Sequence, residues 1–259
     1  MKTVILCGGK GTRLHEETAY RPKPLVEIGG RPILWHVMMA YAHQGYKDFI
    51  LLLGYRGEQI KEYFLNFPLR TTDFSLKYSN GSFSIIFHNK HSIDSWSIMF
   101  LDTGLETQTG GRIARAKKFL TGEDFFLTYA DGVSDINLQA LYQKHQSGKR
   151  IITVTGIHQR LPFGFLETDT ERITGFSEKP LSEKLINGGF FVCSPQLFNY
   201  LSEDESCILE GEPLQRLAAE AQVTVYEHTG FWQSMDTYKQ VLELNELWAK
   251  NPPWRIWSD

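Results

Sequence analysis

Two hydrophobic patterns alternate along the first half of the chain. Residues 4–7, 48–54 and 124–130 are near-continuous apolar runs (VILC, DFILLLG, DFFLTYA), the mark of strands covered on both faces. Between them apolar residues recur at helical spacing. This predicts helices from near Pro32 to near Gly45, over 58–64, over 110–120 with Ile113, Ala116 and Leu120 on one face, and over 137–146. A further strand is expected over 150–156. Repeated strand–helix–strand units with short connections predict an α/β fold with a doubly wound, mostly parallel sheet. Ligands of such sheets bind beyond the carboxyl ends of the strands.

Two stretches depart from this rhythm. Residues 73–101 alternate polar and apolar positions around Asn80-Gly81, a hairpin turn, and 163–179 has the pattern of a second hairpin. Both are expected as antiparallel additions to the sheet. Residues 236–250 form an amphipathic helix, and the tail over 252–257 is rich in Trp and Pro. With Trp248, Trp254 and Trp257 so close together, this end is expected to be packed, against another subunit as an interface candidate.

Composition narrows the class. A 42% apolar content with 13% aromatics over 259 residues supports a large core. The net charge of −3 gives no bulk field for nucleic acid, so any attraction for a polyanion is local. Three dispersed cysteines without C-x-x-C spacing argue for a reducing compartment, hence a cytoplasmic protein. No run approaches the roughly 20 apolar residues of a membrane span.

The most specific chemistry follows the first apolar run. Leu6 and Cys7 lead into Gly8-Gly9-Lys10-Gly11-Thr12-Arg13-Leu14, and ten residues after Arg13, Lys23 stands between prolines in Arg21-Pro22-Lys23-Pro24. Glycines let backbone N–H groups converge on an anion, and Arg13 offers a forked donor to phosphate oxygens. The prolines stiffen the segment that presents Lys23. Counting excludes two common phosphate loops. The dinucleotide fingerprint from Gly9 meets Leu14 where its third glycine belongs, and the P-loop from Gly8 meets Arg13 at its second.

Other candidates carry two readings each. Asp131, at the end of the third apolar run, is a turn residue or a Mg²⁺ ligand, since Mg²⁺ takes one or two carboxylates plus phosphate oxygens. Asp236 is an N-cap of the last helix or a second ligand. Glu178-Lys179 is an exposed charge pair or a partner for hydroxyls and phosphate. Thr109-Gly110-Gly111-Arg112 opens a helix, and Asn187-Gly188-Gly189 precedes an expected strand over 190–193. His88 and His91 have ligand spacing without an obvious third ligand. Cys7 reads as a small buried filler, and Lys10 as added positive charge on the loop. No H-E-x-x-H or G-x-S-x-G motif is present.

The signature G-G-x-G-T-R-L followed by K-P resembles that of the sugar nucleotidyltransferases, and the resemblance covers nearly the whole chain. It continues through Val26-Glu27-Ile28-Gly29-Gly30, Pro32-Ile33-Leu34-Trp35-His36, Asp102-Thr103-Gly104, Asn187-Gly188-Gly189-Phe190-Phe191-Val192 and Gly230-Phe231-Trp232-Gln233 with Met235-Asp236-Thr237. There it is most similar to the branch that joins CTP and glucose 1-phosphate into CDP-glucose. The resemblance implies a single Rossmann-like domain, with a nucleotide-binding half over 1–160 carrying the 73–101 insertion and a sugar-phosphate half over 161–259.

It also implies roles for residues. Leu6, Cys7, Gly8, Gly9, Lys10, Gly11, Thr12, Arg13, Lys23, Thr109, Gly111, Arg112 and Ala130 would contact the nucleotide. Gly164, beside Phe163, would join Glu178, Lys179, Asn187 and Gly188 at the sugar phosphate. Asp131 and Asp236 would hold Mg²⁺, with Arg13, Lys23 and Lys179 as the catalytic cations. A homo-oligomer, a hexamer, is implied as well, with the 73–101 segment and the tail at its interfaces. A thymidylyl- or uridylyltransferase is the alternative within the class, and a non-catalytic sugar-nucleotide-binding regulator the alternative outside it.

Overall fold

The computed structural model describes residues 1–90, 92–161 and 163–258, and the chain begins with a fully buried strand, β1 (Thr3–Leu6). Helix α1 (Ile33–His43), β2 (Asp48–Leu53) and α2 (Gly57–Leu65) follow. Next come the ribbon β3 (Phe74–Ser79) and β4 (Ser82–Phe87), then β5 (Ser97–Asp102). Helix α3 (Thr109–Arg115), β6 (Phe125–Tyr129), the short β7 (Gly132–Ser134) and α4 (Leu138–Gly148) come after them. The remainder contributes β8 (Ile152–Arg160), β9 (Phe165–Asp169), β10 (Arg172–Ser177) and β11 (Leu181–Cys193). It ends with α5 (Glu212–Ala219), β12 (Val223–His228), β13 (Trp232–Ser234) and α6 (Tyr238–Lys250).

Seven strands form one sheet in the order β12-β8-β11-β6-β1-β2-β5, and only β11 runs antiparallel to its neighbours. Thr3 of β1 lies opposite Phe49 of β2 and Phe126 of β6, so these strands end together at one edge. The two-residue period of a strand divides the core. Val4, Leu6, Ile50 and Leu52 pack with Ile113 of α3 on one face, while Ile5, Phe49 and Leu51 pack with α1 on the other. Among the described residues no helix is long and apolar enough to cross a membrane.

Asn80 and Gly81 both take positive φ, 48° and 82°, as the expected hairpin turn requires. The hairpin ends at Phe87, however. Residues 97–102 leave the 73–101 insertion and run parallel to β2 as the edge strand of the main sheet, with Ile98 and Phe100 turned toward the core. Their alternating pattern comes from an edge strand covered on one side. Helix α3 also stops at Arg115 and tightens into a 3-10 turn over Lys117–Phe119. Strand β11 is longer than expected because it continues outward beyond the core to the β9–β10 ribbon.

The tail is packed within its own chain. Trp254 is 1% exposed and stacks on Phe231 at 5.5 Å between ring centres. Its indole N–H donates to His36 Nδ1 at 3.4 Å, while His36 Nε2 donates to the Ile28 carbonyl at 2.8 Å. Trp257 meets Trp35 edge to face. These tryptophans cover α1 from outside, which explains why nine residues of that helix are buried. Their indole faces are therefore not an interface surface. The ribbon β3–β4, by contrast, is exposed along its whole length.

Candidate active site

Beyond the carboxyl ends of β1 and β6 lies a cleft of about 490 Å³ lined by the glycine loop, Lys23, the 107–109 segment, Arg112 and Asp131. Its glycine wall is built by close approach. A Cβ on Gly8 would stand 2.2 Å from the Arg112 guanidinium carbon, and Gly11 takes φ 64° against the Lys23 side chain. Lys23 sits in a 3-10 turn held by Leu25 N–H donating to the Pro22 carbonyl at 2.8 Å. The prolines thus fix the backbone from which this lysine projects.

Two strands bring the carboxylates together. β7 pairs antiparallel with β13, Gly132 opposite Ser234, and Met235 N–H donates to the Asp131 carbonyl at 2.8 Å. Asp131 and Asp236 therefore flank one ladder although they are far apart in sequence. The capping of α6 is done by Thr237 and Gln240, a capping box, and Gln240 Oε1 also accepts from Asp236 N–H. The Asp236 carboxylate is left free of the N-cap role.

That carboxylate faces cations. Lys23 Nζ donates to Asp131 Oδ2 at 2.5 Å and to Asp236 Oδ1 at 2.8 Å, and Arg13 Nη2 lies 3.1 Å from the same Asp236 oxygen. Burial raises the Asp236 pKa, but the Lys23 hydrogen bond and charge, with Arg13, outweigh it and hold the carboxyl below its ordinary value. Burial pushes the Cys7 thiol far up, so it stays protonated and inert.

Arg112 has another task. Its Nη1 donates to the Leu53 and Gly104 carbonyls and to Thr103 Oγ1 at 2.7–2.9 Å, and its Nη2 to the Gly8 and Leu105 carbonyls. Arg115 adds bonds to the Thr103 carbonyl and Thr107 Oγ1. The two arginines fasten the 103–107 loop to the end of β2 and the glycine loop. Lys10 crosses the mouth of the cleft to Glu106, at 2.7 and 2.9 Å from its two oxygens.

A second hollow of about 240 Å³ adjoins the first, lined by Gly188, Gly189, Phe190 and Trp232. The two share Arg13, Tyr129, Asp131 and Asp236 as a common wall. Trp232 Nε1 donates to the Gly188 carbonyl at 2.7 Å, which holds the glycine step in place.

A family model described as Nucleotidyl transferase matches residues 2–251. The chain belongs to the nucleotidyl transferase family. A probable glucose-1-phosphate cytidylyltransferase of Bacillus subtilis (strain 168) is 47% identical over 258 residues, 99% of this chain and 100% of the relative. The glucose-1-phosphate cytidylyltransferase of Salmonella typhi is 41% identical over 261 residues, with both chains fully covered. Among solved structures, HddC from Yersinia pseudotuberculosis has a TM-score of 0.69 at 19% identity, over 95% of this chain and 99% of its own. That likeness concerns the fold alone.

Within this nucleotidyl transferase the cleft gathers Leu6, Cys7, Gly8, Gly9, Gly11, Thr12, Arg13, Lys23, Thr109, Arg112, Ala130, Asp131 and Asp236. Lys10 stands at its mouth. Gly111 lies behind the wall, where a Cβ would meet the Asp204 carbonyl at 2.5 Å. Gly188 lines the second hollow, and Asn187 reaches the Tyr129 hydroxyl at 3.5 Å. Gly164, Glu178 and Lys179 line neither hollow. They sit at the base of the β9–β10 ribbon, where Glu178 and Lys179 pair at 3.9 Å with side chains 62% and 59% exposed. His88 bonds Ser75 Oγ at 2.7 Å, and His91 lies outside the described residues. No group of three metal-ligating side chains occurs among the described residues.

A wall residue, Tyr129, and the carboxylate behind it, Glu210, escaped the sequence. Tyr129 donates to Glu210 Oε1, and Thr109 Oγ1 donates to Glu210 Oε2 at 2.6 Å. Burial, then the Glu210 carboxylate, drives the Tyr129 pKa far up, so the phenol stays a donor. Tyr129 had a signal, its place at the carboxyl end of a buried strand. Glu210 had none, because it lies in an irregular segment with no local pattern.

Proposed function

We propose that this nucleotidyl transferase joins CTP and glucose 1-phosphate into CDP-glucose and pyrophosphate. The observation that carries the reading is the common wall of Arg13, Tyr129, Asp131 and Asp236 between two hollows. A triphosphate gripped by the 8–13 loop and a sugar phosphate in the second hollow would meet there. The choice of CTP and glucose is supported by the activities for which the relatives at 47% and 41% identity are named. In this reading residues 1–160 serve the nucleotide and 161–259 the sugar phosphate.

An oxygen of the sugar phosphate attacks the α-phosphorus of CTP in line. The bond from that phosphorus to the bridging oxygen breaks, and pyrophosphate leaves on the opposite side. The attacking phosphate is already ionised at neutral pH, so no general base is needed, and the protonated Cys7 offers no nucleophile. The protein contributes positioning and charge. Arg13 holds the departing pyrophosphate, Lys23 the α-phosphate, and Lys179 the incoming phosphate from the ribbon beside Glu178.

Asp131 and Asp236 fit Mg²⁺, since both carboxylates converge on the Lys23 ammonium and so share one cation position. With two carboxylates, the other coordination places fall to phosphate oxygens and water. Bound there, Mg²⁺ would draw negative charge from the phosphate oxygens. Phosphorus NMR of CTP mixed with glucose 1-phosphate tests the reading. CDP-glucose and pyrophosphate should appear in equal amounts with Mg²⁺ and not with EDTA, and no CDP-glucose with Mg²⁺ present would refute it.

A homo-oligomer, a hexamer by family resemblance, would bury the β3–β4 ribbon, whose Phe74, Tyr78, Phe83 and Phe87 are all exposed. Light scattering showing a monomer at micromolar concentration would remove that assembly. A cytoplasmic setting fits the free thiols of Cys7, Cys193 and Cys207.

A further inference from the structure

Lys23 Nζ occupies the point on which the two carboxylates converge, 2.5 Å from Asp131 and 2.8 Å from Asp236. Its side chain is 12% exposed, whereas Arg13, the other cation at Asp236, is 77% exposed. The two aspartates carry two negative charges, and Lys23 supplies the shielded half of their neutralisation. An ammonium and a divalent ion exclude each other here. Mg²⁺ takes carboxylate oxygens at about 2.0–2.1 Å, so an ion held by Asp131 Oδ2 and Asp236 Oδ1 would crowd the ammonium that bonds those same oxygens. Like charges at such separation repel strongly wherever water is scarce.

We propose that Lys23 is the resident counter-ion of the Asp131–Asp236 pair in the free enzyme, and transfers to a nucleotide phosphate oxygen when nucleotide and divalent ion arrive together. The proposal rests on the metal reading above. Its mechanical basis is local. The backbone of Lys23 is fixed between Pro22 and Pro24, so the exchange is a swing of the side chain alone. A Cβ built on Gly11 would stand 3.0 Å from the Lys23 Cβ, so a phosphate gripped by the 8–13 loop lies within reach of that swing. Among the described residues the Lys23 ammonium pairs with Asp131 and Asp236, so a divalent ion that displaced it without a nucleotide would cost it both partners, and the carboxylates admit the ion poorly. With a triphosphate present, Lys23 gains a new partner as it gives up the old one. Nucleotide and divalent ion therefore bind with positive coupling, and Lys23 enforces their joint entry.

Mn²⁺ read by electron paramagnetic resonance is the probe, with wild type and Lys23→Met compared without nucleotide and with a non-hydrolysable CTP analogue. Lys23→Met should bind Mn²⁺ without nucleotide at least about tenfold tighter than wild type, a coupling of ordinary size. If Lys23→Met does not fold, Lys23→Gln carries the same comparison. Unchanged or weaker Mn²⁺ binding by the folded variant, in an enzyme whose wild type binds Mn²⁺ with the analogue, overturns the counter-ion role. Absence of Mn²⁺ binding by either protein even with the analogue overturns the metal reading, and the proposal with it.

Discussion

The Arg112 guanidinium donates to the Gly8 carbonyl at 3.1 Å, tying helix α3 to a loop 104 positions earlier. Five oxygens, four of them carbonyls, surround this one side chain, so it anchors the loops of the cleft it lines.

Replacing Arg112 by Met should take the guanidinium from the Gly104 and Leu105 carbonyls, while the Leu53 and Gly8 carbonyls keep the Thr103 and Tyr55 N–H groups. The expected cost is about 3 kcal/mol of stability, the size of losing several charge-assisted bonds at once. Urea midpoints measure it. The nucleotide KM should rise more than kcat falls, because the loop that grips the phosphates loses its anchor. A variant with wild-type midpoint and KM would contradict the anchoring role.

Lys23→Ala removes a donor that acts on the reacting phosphate. Its kcat should fall by about 10²–10³, as for one lost transition-state donor. Asp131→Asn should abolish Mg²⁺-dependent turnover while circular dichroism stays unchanged. Turnover near wild type in either variant would argue against the assignment.

His36 gives the stability a pH dependence. Burial lowers its pKa from 6.5 to about 4, so the folded protein keeps it neutral while the unfolded chain takes up a proton first. Stability is full above pH 6.5, falls as pH drops toward 4, and loses about 3 kcal/mol over that window. Urea midpoints of wild type and His36→Gln at pH 7 and pH 4 test this. The wild type should lose more than the variant, and equal losses would exclude His36 as the cause.

Legibility in the sequence followed locality. Strands β1, β2 and β6 announced themselves as apolar runs, and Asn80-Gly81 fixed its turn from two adjacent residues. Strand β5 was hidden because an edge strand, covered on one side, carries the alternation of a hairpin. The packing of the tail depends on the Trp254 indole meeting His36 across 218 positions, which no local pattern encodes. In the cleft, the glycine loop and Lys23 were readable because they are nearly contiguous. That Asp131 faces Asp236 depends on the β7–β13 ladder, and it was expected from resemblance. Arg112 was expected in the cleft from resemblance and lines it, but sequence gives no hint of the carbonyls it also holds.

Lys179 lies outside both hollows, on an exposed ribbon beside Glu178. If it receives the incoming phosphate, Lys179→Ala should raise the KM for glucose 1-phosphate by about tenfold or more, the size of a lost charged contact, with the CTP KM unchanged. Initial rates with each substrate varied in turn decide it, and an effect on CTP alone would assign this lysine elsewhere.

The shared wall of Arg13, Tyr129, Asp131 and Asp236 is proposed to serve cytidylyl transfer to glucose 1-phosphate. Pyrophosphate release with glucose 1-phosphate, measured across CTP, UTP, dTTP, GTP and ATP, tests it most directly. The kcat/KM for CTP should exceed that for every other nucleotide by at least about tenfold, a discrimination worth about 1.4 kcal/mol. Preference for another nucleotide, or no release with any, would contradict it.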